Sequence, residues 1–153
     1  MSNLNVTTET KTELMNTFFA ERSAWVQLVS LLLVLGGYSW VAGQMILQGV
    51  TALPSYAAVF TVSIVLMVVV MVVGHAAAAI VSRPDDGDER DRLIRWRAES
   101  YSGWLLATGI LVGLAGMVLS VSNVWVAHLL LLSLFLSEVL KLVLQLVFYR
   151  RGV

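Results

Sequence analysis

The sequence predicts an all-α protein of four transmembrane helices, from its composition and from the placement of its charges. Of the 153 residues, 58% are hydrophobic and 13% are charged, which is too apolar for a soluble domain of this length. No charged residue lies between Ser23 and Ser82, and only two lie between Ser100 and Arg150. Each of these stretches is long enough for two helices of about 20 residues, the length that crosses a bilayer core of about 30 Å.

Breaks in the apolar pattern divide these stretches and place the helices. The first stretch divides around Pro54, and the second divides at residues 121–123. Residues 1–23 form a leader, and residues 24–153 are expected to fold as one transmembrane domain. The predicted helices are residues 24–48, 56–81, 101–120 and 124–148, with a connecting loop at residues 82–100.

The leader, residues 1–23, is polar and mixed in charge, without an apolar core followed by a small-residue cleavage site. We therefore expect no cleavable signal peptide. Thr10 and Glu13 have capping-box spacing, and hydrophobic residues follow at helical intervals. This pattern predicts a short N-terminal interfacial helix that leads into the first span, with docking of the leader on a partner protein as the alternative.

Basic residues fall on one side of the predicted topology. They occur in the leader, in the loop at residues 82–100 and after the fourth helix, whereas the other two connections contain no Lys or Arg. The positive-inside rule then puts both termini and the loop in the cytoplasm (N-in, C-in). Outside the predicted helices the basic residues are Lys11, Arg22, Arg83, Arg90, Arg92, Arg95, Arg97, Arg150 and Arg151, and the tenth, Lys141, lies within the fourth helix.

The arginine-rich half of the loop predicts a short cytoplasmic extension of the third helix. Asp88 has the position of an N-cap, and Asp91 and Arg95 are spaced for an i,i+4 pair. Basic and apolar residues on such a helix can contact lipid headgroups or an acidic partner, although a solvated and self-paired helix start is the alternative. The candidate contact residues are Arg90, Arg92, Arg95, Arg97 and Trp96.

The fourth helix contains two charged residues, Glu138 and Lys141, within its apolar sequence. A charge at the bilayer centre costs about 2.5–3.5 kcal/mol on insertion scales, so such a residue is a functional-site hypothesis. Together with Gln145 and Tyr149 they recur at spacings of three, four and four and share one helix face. The stripe is either an ion path or ligand site, or a structural ion pair with Gln145 bonded to a neighbouring helix.

Three residues of the first two helices are candidates for contact with this intramembrane polar site. Tyr38 and Trp40 fall inside the first helix, and a buried phenol or indole N–H usually seeks a hydrogen-bond partner. We predict that one of them bonds Glu138, which lies at comparable predicted depth. His75, in the second helix, is interpreted as a packed histidine bonded to a neighbouring helix, or as a modulator of Glu138.

Glycine placement predicts close helix packing. Gly109, Gly113 and Gly116 form a small-residue face on the third helix. The first helix contains Gly36, Gly37 and Gly43, which would let backbones approach within the bundle or between protomers. Bundle packing is the simpler interpretation of both sets.

The sequence lacks the residues that several kinds of catalytic and cofactor site require. The chain has no cysteine, which removes thiolate metal sites and disulfide chemistry. His75 and His128 differ in predicted depth by about 20 Å, too far to ligate one haem in a single protomer. No nucleotide-binding loop, metal-binding cluster or nucleophile with its base is apparent. We therefore expect a non-enzymatic protein with no cofactor, no metal and no nucleic-acid partner.

Four short sequence patterns carry a resemblance to a known family. They are Asp88-Glu-Arg-Asp-Arg-Leu-Ile94, Arg97-Ala98, Glu138-x-x-Lys141-x-x-x-Gln145 and Tyr149-Arg-Arg-Gly152. With these patterns the chain resembles an uncharacterised family of small four-helix bacterial membrane proteins. The resemblance implies a bacterial inner-membrane location and supplies no substrate or catalytic residue.

Three functional hypotheses follow. The first is a non-enzymatic assembly or interaction subunit, embedded in lipid as a homo-oligomer or within a membrane complex, in which the polar stripe fixes helix register. The second is a small ion- or proton-coupled transporter or channel that uses Glu138 and Lys141. The third is a sensor whose cytoplasmic helix reports the state of the membrane to a partner.

Overall fold

The computed structural model describes the backbone of residues 2–81 and 89–151, and the side chains of residues 22–77 and 92–150. The backbone in these ranges is helical apart from short turns and connections. A short 3₁₀ helix, Leu53–Tyr56, directly precedes the second α-helix. The α-helices are α1 Ser2–Leu47, α2 Ala57–Val81, α3 Glu89–Val118 and α4 Asn123–Arg151.

Four helices are long and apolar enough to cross a membrane, as the sequence predicts. The apolar parts are Arg22–Leu47, Leu53–Ala77, Arg92–Val118 and Asn123–Arg150. The predicted extension of the third helix is also present, because α3 already begins at Glu89. Residues 82–88, with the predicted N-cap Asp88, lie outside the described residues.

The first helix differs from the prediction. α1 runs for 46 residues from Ser2 without a break, so the leader is continuous with the first span. Thr10 and Glu13 therefore lie inside this helix, which begins before the start that their capping-box spacing indicates. The physical reason is that no Gly or Pro interrupts the sequence before Gly36, so the i to i−4 hydrogen-bond ladder continues.

Packing centres on α1 and α4. α1 packs against α2 and α4, and α3 packs along α4. α1 and α4 share a cluster of buried side chains in which Leu31 and Phe135 are almost fully enclosed. Tyr56 is equally enclosed at the start of α2, where its hydroxyl donates a hydrogen bond of 2.8 Å to the carbonyl of Val50.

Two helices end in the same way, with a residue at positive φ. Two residues after the end of α1, Gly49 has φ 76°, and the Val50 amide donates to the Met45 carbonyl. Two residues after the end of α3, Ser120 has φ 58°, and the Val121 amide donates to the Gly116 carbonyl. These i to i−5 bonds satisfy carbonyls at the helix ends, and glycine is the residue that adopts this conformation at least cost.

Replacing Ser120 with glycine should stabilise the protein by about 1 kcal/mol, because the left-handed conformation costs serine about that much. Ser120 is exposed, so the substitution leaves the packing unchanged. The measurement is the midpoint of equilibrium unfolding in detergent titrated with dodecyl sulfate. Ser122→Gly, in the same turn but without a positive φ, is the control and should not stabilise the protein.

Candidate functional site within the helices

A small-residue face on α3 brings it close to α4. A Cβ added at Gly109 would overlap the side chain of Ser133, and one at Gly113 would lie 2.8 Å from Cδ2 of Leu130. At Gly116 the nearest contact would be Val126, at 3.5 Å. All three glycines therefore lie where α3 meets α4, and the paired positions show that α3 and α4 run antiparallel.

The glycines of α1 have a different environment. A Cβ added at Gly36, Gly37 or Gly43 would meet nothing within 4 Å. Packing within the described part of the chain therefore does not account for these three residues.

The polar stripe occupies a distinct side of α4. One side of this helix faces α3 through Leu130 and Ser133, and another faces α1 through Phe135 and the residues clustered with it. Helical spacing puts the polar residues between these two sides, above the groove between α1 and α3. The opposite side of α4 exposes Trp125, Leu132, Leu136 and Val143. The polar residues of the groove are Glu138, Lys141 and Gln145.

Glu138 and Lys141 form an ion pair within α4. The distance from Lys141 Nζ to Glu138 Oε2 is 2.5 Å, and the two side chains are 10% and 17% exposed, respectively. This contact corresponds to one of the two interpretations of the stripe, the ion pair within α4. Each charge has its counter-charge within hydrogen-bond distance, which offsets part of the cost of placing both in an apolar helix.

Tyr38 has a different partner from the one predicted. Its hydroxyl and Nδ1 of His128 are hydrogen-bonded to each other. Both side chains are buried, so this bond joins α1 to α4 inside the core. The predicted hydrogen bond from Tyr38 to Glu138 is therefore wrong.

His128 is enclosed by aromatic rings. The ring centroids of Tyr56 and Phe60 lie 4.9 and 5.2 Å from it, both edge to face, and Trp125 lies 6.3 Å away. Its Nε2 is buried and has no hydrogen-bond partner among the described residues. The π-systems of Tyr56 and Phe60 are the nearest groups that the imidazole ring of His128 contacts edge to face.

Periodicity could have identified His128 from the sequence. His128, Leu131, Phe135 and Leu142 recur at spacings of three, four and seven, which places the histidine on the buried apolar face of α4. Glu138 lies at the edge of the same face, seven residues after Leu131, so helix face alone does not exclude it as a partner. The predicted pairing of Tyr38 is wrong in level along the helices, because Tyr38 bonds His128, which lies ten residues, about 15 Å, from Glu138 along α4.

Trp40 and His75 lie away from the polar groove. Trp40 is 72% exposed on α1, so the alternative prediction that it bonds Glu138 is also wrong. His75 is exposed on α2, and its Nδ1 donates to the Met71 carbonyl of the same helix at 2.7 Å. It therefore bonds its own helix and not a neighbouring one, and the structure does not bring it to Glu138.

The basic residues gather at one end of the helices, which we call the basic end. Arg22 precedes the apolar part of α1, Arg150 ends that of α4, and α3 begins in the arginine-rich segment. The Arg150 guanidinium lies 5.7 Å from the centroid of the Trp25 ring, a cation–π contact that ties α4 to α1. Arg92, Arg95, Trp96 and Arg97 are exposed, and the side chain of Arg90 lies outside the described residues.

The described residues were compared with the requirements of a metal site, and the chain was compared with known proteins. Among the residues that the structure describes, no cluster of three or more His, Cys, Asp or Glu side chains is arranged to hold a metal ion. No family model, curated protein or solved structure matches the chain. The resemblance to a family of four-helix membrane proteins stays a prediction.

Proposed function

We propose that this chain is a non-enzymatic assembly subunit of the bacterial inner membrane that associates with itself through the outer face of α1. The outer face is the side of α1 turned away from α2 and α4. Its residues recur at spacings of three and four, as in helices that pack along their length. They are Leu33, Gly36, Trp40, Gly43 and Leu47.

The observation that carries this proposal is the environment of Trp40. It lies about 10 Å from the end of α1, within the apolar part of the helix. Side chains on a helix lean toward its N-terminus, so the indole leans further into the span, away from the nearer end. No described residue bonds its N–H, and lipid tails provide no acceptor.

The glycines beside Trp40 supply the complementary shape. Gly36 and Gly43 lie one turn to either side of it on the outer face, and both leave open space. A large side chain between two small ones is self-complementary, because the tryptophan of one protomer fits the glycine of its two-fold partner. In this arrangement backbone carbonyls of the partner come within reach of the indole N–H.

Cysteine crosslinking tests the proposal directly, because the chain has no cysteine of its own. A Leu33→Cys variant should form a disulfide-linked dimer in native membranes, and adding Gly36→Leu should reduce that dimer at least several-fold by blocking close approach. Leu111→Cys, equally exposed but on α3, is the control and should stay monomeric. Equal crosslinking at Leu33 and Leu111, or none at Leu33, would contradict self-association through α1.

The orientation of the chain is part of the same proposal. Because the described arginines lie mainly at the basic end, we place this end, and with it both termini, in the cytoplasm. The continuous helix of the leader would then extend from the cytoplasmic surface. The 20 helical residues before Arg22 are long enough to lie along lipid or to meet a partner.

The alternative is a small ion- or proton-coupled transporter or channel that uses Glu138 and Lys141. The closed ion pair favours a structural role instead, because each group is occupied by the other. A flux measurement in membrane vesicles that contain the Leu33→Cys protein can distinguish the structural role from transport. Proton flux that Glu138→Gln abolishes, with the Leu33→Cys dimer unchanged, would support transport and count against a purely structural polar stripe.

A further inference from the structure

We propose that α3 binds the headgroup of an anionic phospholipid through Arg97, Tyr101 and Trp104. These residues recur at spacings of four and three and therefore share one side of α3. The side that packs on the protein is centred elsewhere on the helix, because Ala98 and Ser102 are buried and Gly109 and Gly113 contact α4. The Tyr101 and Trp104 side chains are 59% and 75% exposed, so this donor face is open to lipid.

The direction of α3 brings the three side chains to neighbouring levels. α3 enters its apolar segment from the basic end, and helical side chains lean toward the helix N-terminus. Tyr101 and Trp104 therefore lean back toward Arg97. Along the axis Arg97 and Trp104 are about 10 Å apart, comparable to the depth of one headgroup region. With the guanidinium level with lipid phosphates, the indole reaches the ester groups below them.

The charges of this face select an anion. Arg97 has no ion-pair partner among the described residues, and its guanidinium can bind two phosphate oxygens at once. The acidic residue nearest in sequence, Glu99, falls on another side of α3 by helical spacing. Tyrosine hydroxyl and indole N–H add two neutral donors. A headgroup with a net negative charge fits this set better than phosphatidylcholine, whose ammonium would meet the arginine.

A lipid is favoured over a free phosphate ion because two of the three residues are exposed aromatics at the start of the apolar segment. Indole and phenol rings at this level contact acyl chains while their polar atoms face the headgroup. The inference does not depend on self-association or on which side of the membrane the basic end occupies, because only the level of α3 relative to the lipid enters it.

Native mass spectrometry of the purified full-length protein in detergent tests the site. Titration with dimyristoyl phosphatidylglycerol should show tighter binding than titration with dimyristoyl phosphatidylcholine. Arg97→Gln should weaken phosphatidylglycerol binding about fivefold, the effect of about 1 kcal/mol for one arginine near an anionic lipid. Trp104→Phe, which keeps a ring but removes the N–H donor, should weaken it in the same direction.

Arg22→Gln is the control, since it removes the same charge from the basic end but from α1. It should leave phosphatidylglycerol binding nearly unchanged. Equal losses for Arg22→Gln and Arg97→Gln would overturn the site in favour of general charge attraction. Equal binding of the two lipids would also overturn it, as would displacement of phosphatidylglycerol by an excess of inorganic phosphate.

Discussion

Replacing Lys141 with methionine is expected to destabilise the protein by about 3–5 kcal/mol, the cost typical of removing one partner from a buried ion pair. Methionine keeps the length and much of the volume of lysine, so packing changes little. The variant retains the Glu138 carboxylate, which is 17% exposed, but lacks the ammonium group that lies 2.5 Å from it in the parent protein. Equilibrium unfolding in detergent titrated with dodecyl sulfate measures the loss.

The double variant Glu138→Leu/Lys141→Met shows whether the loss comes from the charge or from the shape. Replacing both members of a buried pair with apolar residues of similar size is often neutral, so the double variant should recover most of the lost stability. The coupling energy from the double-mutant cycle should then be at least about 2 kcal/mol. Arg95→Gln, an exposed charge removal, serves as the control and should have little effect. A Lys141→Met protein as stable as the parent would show that the pair contributes nothing to folding.

The double variant also bears on function. If the polar stripe is structural, Glu138→Leu/Lys141→Met should fold and still form the Leu33→Cys dimer, because the outer face of α1 is separate from the groove between α1 and α3. If the stripe is a transport site, the double variant should fold and lose flux. Stability, dimer formation and flux measured together therefore assign the ion pair to one role.

The fold follows closely from the sequence because the signals for it are local. Charge-free lengths define the spans, and breaks around Pro54 and at residues 121–123 separate them, so the four apolar helices agree with the prediction. The glycine face of α3 was equally readable, since close approach needs small residues at fixed spacing. The continuous α1 was missed because a capping-box pattern does not stop a helix that can extend past it.

The polar site was only partly predictable. Glu138 and Lys141 pair within one helix, so their spacing in sequence is enough to predict their contact. The Tyr38–His128 bond joins two helices, and the predicted depths of Tyr38 and Glu138 did not determine which levels of α1 and α4 meet. His75 is a second example: its sequence position predicts a packed histidine bonded to a neighbouring helix, but its side chain is exposed and bonds α2 itself. Contacts within a helix are therefore readable from spacing, whereas contacts between helices also need the packing arrangement.

Replacing Gly109 with alanine should destabilise the contact between α3 and α4 by about 1–3 kcal/mol, the range for overfilling a packed interface. The added Cβ would overlap both Oγ and Cβ of Ser133, and the Ser133 hydroxyl is already held by a 2.7 Å hydrogen bond to the Leu129 carbonyl. Because a Cβ cannot rotate away, relief requires the two helices to separate. Unfolding in detergent titrated with dodecyl sulfate should report the change as a lower midpoint.

Two further variants distinguish this clash from a general effect of the substitution. Gly103→Ala adds the same methyl group to the same helix where nothing lies within 4 Å, so helix propensity should make it neutral or up to about 1 kcal/mol stabilising. Gly109→Ala/Ser133→Gly moves the missing side chain from α3 to α4 and should restore most of the lost stability, since the overlapping atoms are then gone. Equal effects of Gly103→Ala and Gly109→Ala would contradict close packing at Gly109. Rescue by Ser133→Gly, by contrast, would establish the register of α3 against α4, and that register fixes which residues of α3 flank the groove that holds Glu138 and Lys141.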